Sequence, residues 1–153
     1  MNGADSDSSK RWLIDAACRD TLTRVSYLAD RRDFEAMAAL FCEDAELTRP
    51  SGERLLGRAA IVAAYRAGPP QRLTRHLLCG TVLDVVSERQ VSACTQVLLF
   101  VGSTADEASV QGRPAHGPAL VGEFDDVLVL QADGHWRIAR RTARFVLRAV
   151  DPT

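Results

Sequence analysis

From Lys10 to Leu28 the apolar residues Leu13, Ile14, Ala17, Leu22, Val25 and Leu28 return every three or four positions, the spacing that lays one apolar stripe along a helix. Ser9 stands where an N-cap would, and the polar, Ser/Asp-rich residues 1–9 read as a disordered lead-in to a single domain over 10–150. Asp33 has the chemistry of a second N-cap, because its carboxylate can accept the free amides of a first turn. Phe34, Met37, Ala38 and Phe41 then form one face of a short helix over 34–41. Short strands at 45–48 and 54–56 flank Pro50-Ser51-Gly52. Gly57 opens a third helix that runs to Ala67, and Gly68-Pro69-Pro70 stops it.

The pattern then changes to β-rich runs at about 72–86, 91–103, 119–131 and 135–148, separated by turn signals at Ser87-Glu88-Arg89 and Asp133-Gly134. Helices followed by a long antiparallel meander predict an α+β fold. Residues 104–118 hold no clear period and form the one long loop, either a lid or slack. A twisted sheet folded around helices leaves a concave mouth, and such mouths are apolar with a few convergent polar groups. The layout therefore predicts a pocket for a hydrophobic small molecule.

Composition narrows the classes of function. A chain of 153 residues with 46% hydrophobic content can bury a core of its own. A net charge of -1 recommends neither a nucleic-acid nor an anionic-membrane partner. No stretch has the pattern of a signal peptide or the length of a bilayer span, so a cytoplasmic protein is expected. Cys18, Cys42, Cys79 and Cys94 lack CxxC spacing and read as buried free thiols rather than disulfides or zinc ligands. His116 and His135 share no ligand spacing with His76, so no metal and no cofactor is expected. Both are placed in solvent, with His116 free to swing from the loop over the pocket. No serine lies in a nucleophile elbow, and Gly102-Ser103-Thr104 lacks the length and lysine of a phosphate loop.

The chemistry concentrates in Thr74-Arg75-His76-Leu77-Leu78-Cys79-Gly80-Thr81. It sets a histidine at the start of a strand, while Asp30 lies at the end of the first helix. An imidazole held by a carboxylate in an apolar pocket is a minimal acid/base device, suited to enolisation, β-elimination, isomerisation or ring closure. The plainer alternative is a satisfied strand histidine and an aspartate that ends a helix. Tyr27 precedes Asp30 by one helical turn and can share its face, and Tyr65 is a second candidate hydroxyl for substrate binding. Asp125 and Asp126 interrupt an apolar strand, and alternation sends only one of them inward. An inward Asp125 would be a further titratable group, whereas an inward aspartate paired with Arg141 or Arg49 would be structural.

Several segments together resemble the nuclear-transport-factor-2-like (NTF2-like) superfamily, in its branch of SnoaL-like proteins and scytalone dehydratase. They are Asp30-Arg31-Arg32-Asp33-Phe34, Leu40-Phe41-Cys42-Glu43-Asp44-Ala45, Thr74-Arg75-His76, Gly80-Thr81, Val86-Ser87-Glu88 and Asp133-Gly134-His135-Trp136-Arg137-Ile138. The resemblance covers roughly residues 10–148. It implies a cone-shaped curved antiparallel sheet wrapped around N-terminal helices, enclosing a pocket, often in a homodimer. It places the dehydratase's catalytic aspartate on Asp30 and its catalytic histidine on His76. The tyrosine beside that aspartate becomes Ala29, a carbonyl-holding tyrosine falls on Arg49, a second histidine on Val101 and a pocket asparagine on Asp125. The expected activity is a cofactor-independent dehydratase, isomerase or cyclase acting on an apolar oxygenated molecule such as a polyketide or aromatic intermediate. The alternative is a non-catalytic binding or subunit-assembly module of the same fold.

Overall fold

Helix α1 (Gly3–Asp30) sets the geometry of the molecule, and it begins ahead of Ser9, so the expected cap lies inside the helix. The computed structural model describes residues 3–150, with side chains from Ser6 onward; Met1 and Asn2 of the expected lead-in lie outside the described residues. The polar opening is helical for a local reason. Asp7 pairs with Arg11, Asp15 with Arg19 and Asp20 with Arg24, each one turn apart with the acid first. Pairs in that order contribute about 0.2–0.5 kcal/mol each. The buried stripe is Cys18, Thr21, Leu22, Val25 and Ser26, so Cys18 takes the place expected of Ala17, and Leu13 stays in solvent. Burial, with Asp15 nearby, pushes the Cys18 thiol up to about 12. The Thr21 hydroxyl is within hydrogen-bond reach of the Ala17 and Trp136 carbonyls, the second of which ties the helix to the far end of the chain.

Helix α1 closes with the Arg32 amide donating to Ala29 and the Asp33 amide to Leu28, around Arg32 in a left-handed conformation at φ 61°. Helix α2 (Phe34–Ala38) follows at once, capped by the Asp33 carboxylate accepting the Ala36 amide at 3.2 Å. It is shorter than its apolar spacing predicts, because Phe41 opens strand β1 (Phe41–Thr48) instead. Phe41 pairs in parallel with Ile138 and both are buried, so tertiary pairing overrides the helical period. Strand β2 (Arg54–Leu56), helix α3 (Arg58–Arg66) and strands β3 (Arg72–Ser87), β4 (Gln90–Ser103), β5 (Leu120–Leu130) and β6 (Trp136–Arg148) complete the chain.

The sheet order is β2-β1-β6-β5-β4-β3. Strands β3 to β6 form the expected antiparallel meander, but β1 lies parallel to β6, so the sheet is mixed and open rather than wholly antiparallel. Register shifts at Leu78/Gly80 and Val85/Ser87, where β3 carries the extra residue, and opposite Val121/Gly122 and Val127/Leu128, where β6 carries it, bend these long strands. The helices fill the concave face, where Met37, Phe41, Ile61, Val91, Leu128 and Ile138 are almost wholly inaccessible. All four cysteines are free, but Cys79 is exposed beside the β3 bulge, contrary to the expectation of four buried thiols. Residues 104–118 are irregular apart from single bridges at Gly102–Ala115 and Ser109–Gly112. Among the described residues no helix is long and apolar enough to cross a membrane.

Gly122 marks the tightest point of the meander. A β-carbon there would lie 2.8 Å from the Arg144 carbonyl oxygen, backbone against backbone. Gly122→Ala is therefore expected to lower stability by about 1–3 kcal/mol, the usual cost of overpacking. A urea unfolding curve checks this, and a midpoint equal to wild type would mean that β6 yields at no cost.

Candidate active site

Asp30 is the last residue of α1, and β3 passes it with Thr74 and His76 facing the helix end. Three donors converge on its carboxylate. His76 Nδ1 lies 2.6 Å from Oδ1, the His76 backbone amide donates to Oδ2 at 2.8 Å, and the Thr74 hydroxyl donates to Oδ1 at 2.8 Å. The side chains of Asp30 and His76 are only 10% and 20% exposed. Burial alone would raise the Asp30 carboxyl. The hydrogen bonds and charge of His76, with the Thr74 hydroxyl, outweigh it and hold the group below its ordinary value. An ionised Asp30 can only accept, which fixes the proton on Nδ1 and leaves the Nε2 lone pair open. Nε2 has no hydrogen-bond partner among the described residues, and His76 lines a cavity.

That cavity, about 420 Å³, lies between the end of α1, the α2–α3 pair and the concave sheet. Leu47, Val97, Leu99, Phe124 and Ala143 give it apolar walls. Arg141 reaches into it from β6. Its Nε and Nη2 bind the two oxygens of Asp126 at 2.7 and 2.9 Å, and its Nη1 has no acceptor among the described residues. The pair is almost completely buried, at 4% and 0% exposure. Burial pushes the Asp126 carboxyl up while Arg141 opposes it. The guanidinium stacks on Phe124 with Cζ 4.2 Å from the ring centre, and the His76 ring approaches the same phenyl at 6.3 Å between centroids. A base and a cation thus flank one aromatic ring.

The residues predicted from sequence divide into those the fold gathers and those it separates. Asp30 and His76 meet, and Arg49 and Tyr65 also line the cavity. Arg49 is held by Glu53 at 3.0 Å. Tyr65 packs its ring on Phe34 at 5.5 Å, and burial pushes its phenol up, so it stays protonated as a donor. Val101 shares the face of Val97 and Leu99 but lies beyond the cavity lining, where its carbonyl accepts the His116 amide.

Two further candidates are corrected. Tyr27 is 53% exposed and outside the pocket, because the buried stripe of α1 runs through Val25 and Ser26, and the Arg31 guanidinium covers the Tyr27 ring instead. Asp125 faces the convex side of the sheet and pairs with Arg144, and it is Asp126 that points inward. Strand alternation left this choice open. The signal that settles it is Glu123, which shares the parity of Asp125, and two carboxylates on one face belong in solvent. His116 and His135 are exposed, with His116 bound to Asp106 at 2.7 Å. Among the described residues no group of three His, Cys, Asp or Glu side chains could hold a metal ion. Arg141 is the pocket residue that sequence analysis treated only as a partner for an aspartate.

The sequence matches the model of the SnoaL-like domain over residues 11–142. No protein of curated function matches the chain. A candidate scytalone dehydratase from Novosphingobium aromaticivorans superposes with a TM-score of 0.78 at 26% identity, over 95% of this chain and 93% of that one. An NTF2-like protein with a cystatin-like fold from the same organism gives 0.72 at 22% identity, over 95% and 90%. The hexachlorocyclohexane dehydrochlorinase LinA-type3 from Novosphingobium barchaimii gives 0.76 at 17% identity, over 95% and 96%, a likeness of fold alone. With its SnoaL-like region covering most of the sequence on an NTF2-like α+β cone, the chain belongs to the SnoaL-like domain family.

Proposed function

We propose that this protein is a cofactor-independent lyase, isomerase or cyclase that moves a proton on an apolar, oxygenated small molecule. The observation that carries the proposal is the unpartnered Nε2 of His76 in the cavity while Asp30 holds Nδ1. Nε2 takes a proton from carbon next to a carbonyl, and the electron pair of that bond moves onto the carbonyl oxygen. The imidazolium so formed is stabilised by the Asp30 charge. Arg141, through Nη1, is the donor for the developing oxyanion, a kind of interaction worth about 2.7–4 kcal/mol in a water-poor site. The proton then returns from Nε2 to a departing β-hydroxyl, giving elimination, or to a different carbon, giving isomerisation. Attack of the carbanion on a second carbonyl gives ring closure. One structural relative, at 26% identity, is named for the elimination of water, which supports this class.

Uptake of solvent deuterium next to the carbonyl of bicyclic ketones such as 2-tetralone, followed by proton NMR, tests the first step. Wild type is expected to exchange the α-protons faster than His76→Gln. Equal rates in the two proteins would overturn the proposal and leave a binding or assembly module as the better account.

A further inference from the structure

Five arginines line the cavity, together with no lysine, aspartate or glutamate. Three of them are neutralised at once: Arg141 by Asp126, Arg49 by Glu53, and Arg144 by Asp125 and Glu123. Arg32 and Arg72 have no carboxylate within salt-bridge distance among the described residues. Arg32 is the second residue after α1 and is half-buried, while Arg72 opens β3 and is exposed, so both stand at the rim of an otherwise apolar space. Of the acids beside Arg32 in sequence, Asp33 caps α2 by accepting the Ala36 amide, and Asp30 is committed to His76 and Thr74. The rim therefore carries two positive charges that no carboxylate among the described residues pairs with.

The backbone at Arg32 supplies an independent observation. The residue closes α1 in the left-handed conformation, φ 61°, with the Arg32 and Asp33 amides returning to Ala29 and Leu28. Glycine is the residue this closure favours, since a β-carbon there is strained. An arginine in its place lays its guanidinium over Phe34, Cζ 5.1 Å from the ring centre, and Phe34 is itself part of the cavity wall. Strain held at a pocket points to a use for the side chain.

We propose that the pocket binds an organic anion, a ring system bearing a carboxylate, with the rings against Leu99 and Phe124 and the carboxylate between Arg32 and Arg72. A planar guanidinium matches a carboxylate edge to edge, and at a rim the ligand's charge keeps part of its hydration while gaining charge-assisted hydrogen bonds. The inference rests on the reading of this cavity as the substrate site. It does not depend on the dyad chemistry, because binding is measured without turnover.

Calorimetric titration with 2-naphthoate and its uncharged isostere 2-naphthamide tests it in wild type, Arg72→Gln, Arg32→Gly and His76→Gln. Wild type is expected to bind the carboxylate at least tenfold tighter than the amide at low salt, with the ratio falling as sodium chloride is added. Arg72→Gln and Arg32→Gly are each expected to bring the ratio toward one, and His76→Gln to keep it. Arg32→Gly should melt no lower than wild type, so a lost preference in that variant is not a lost fold. Equal or weaker binding of the carboxylate by wild type, no binding of it up to millimolar concentration, or a ratio unchanged in the Arg32→Gly/Arg72→Gln double variant would each overturn the proposal. A carboxylate preference alongside equal deuterium exchange in wild type and His76→Gln would keep the anion site and reject the catalytic proposal. The opposite pair of results would keep the dyad and reject the anion site.

Discussion

Asp30→Asn is expected to lower kcat for proton exchange by about 10²–10⁴, the usual weight of a positioned acid/base group, while the fold persists. All three groups that face Asp30 are donors: the His76 ring nitrogen, the His76 amide and the Thr74 hydroxyl. An asparagine offers one acceptor oxygen and an NH₂ that meets a donor. The imidazole must then turn Nδ1 into an acceptor, which moves its proton to Nε2, and a protonated Nε2 takes no proton from substrate. The Asp30→Asn/His76→Gln double variant should be no slower than His76→Gln alone, because the two residues act as one unit. The stability of Asp30→Asn carries a further signature. The Asp30 carboxyl sits below its ordinary value of 3.8 in the fold, so its contribution is complete above that value and is lost as pH falls through the lowered one. The gap in melting temperature between wild type and Asp30→Asn should be wide at neutral pH and close on acidification. A gap that stays constant would mean that the charge of Asp30 is not what the fold stabilises.

Much of this site was legible in the sequence, for reasons that differ from residue to residue. The four long strands announce themselves through β-branched runs and a Gly-containing turn at Asp133-Gly134, and their observed limits lie within a residue or two of the expected ones. The pairing of Asp30 with His76 was reached by resemblance, since 46 positions separate them and no local rule joins a helix end to a strand start. What stayed hidden depended on tertiary contacts. Phe41 fits a helical stripe until β6 offers it a parallel neighbour, and the face of α1 that is buried runs through Cys18 rather than Ala17. Tyr27 and Asp30 are one turn apart, yet the wall of the pocket stops between them. The parallel β1–β6 pair was not foreseeable from alternation, which carries no information on strand direction.

The buried pair Asp126–Arg141 separates folding from chemistry. Asp126→Ala is expected to cost about 3–5 kcal/mol, because it leaves a guanidinium without a partner in a site of 4% exposure. Against a total stability of about 5–15 kcal/mol, that is enough to bring the midpoint of unfolding far down. The pair is not there because it is the most stable filling. Burial pushes the Asp126 carboxyl up, the sign of an ion that has lost more hydration than it would choose, and apolar replacements of buried pairs are often neutral or stabilising by about 1–4 kcal/mol. Arg141 lies between Phe41 and Phe124, at 5.9 and 4.2 Å from their ring centres, so a methionine can occupy its path among the aromatic faces. The double variant Asp126→Leu/Arg141→Met is therefore expected to recover most or all of the stability that Asp126→Ala loses, and yet to exchange α-protons far more slowly than wild type. Thermal unfolding and the deuterium assay on the same samples check both halves. A double variant that melts as low as Asp126→Ala would make the pair a packing element. One that is stable and fully active would remove Arg141 from the reaction, leaving His76 to work without a cation opposite it. The expected combination, stable and slow, would mean that this strand carries a desolvated ion pair for what its free Nη1 does in the pocket.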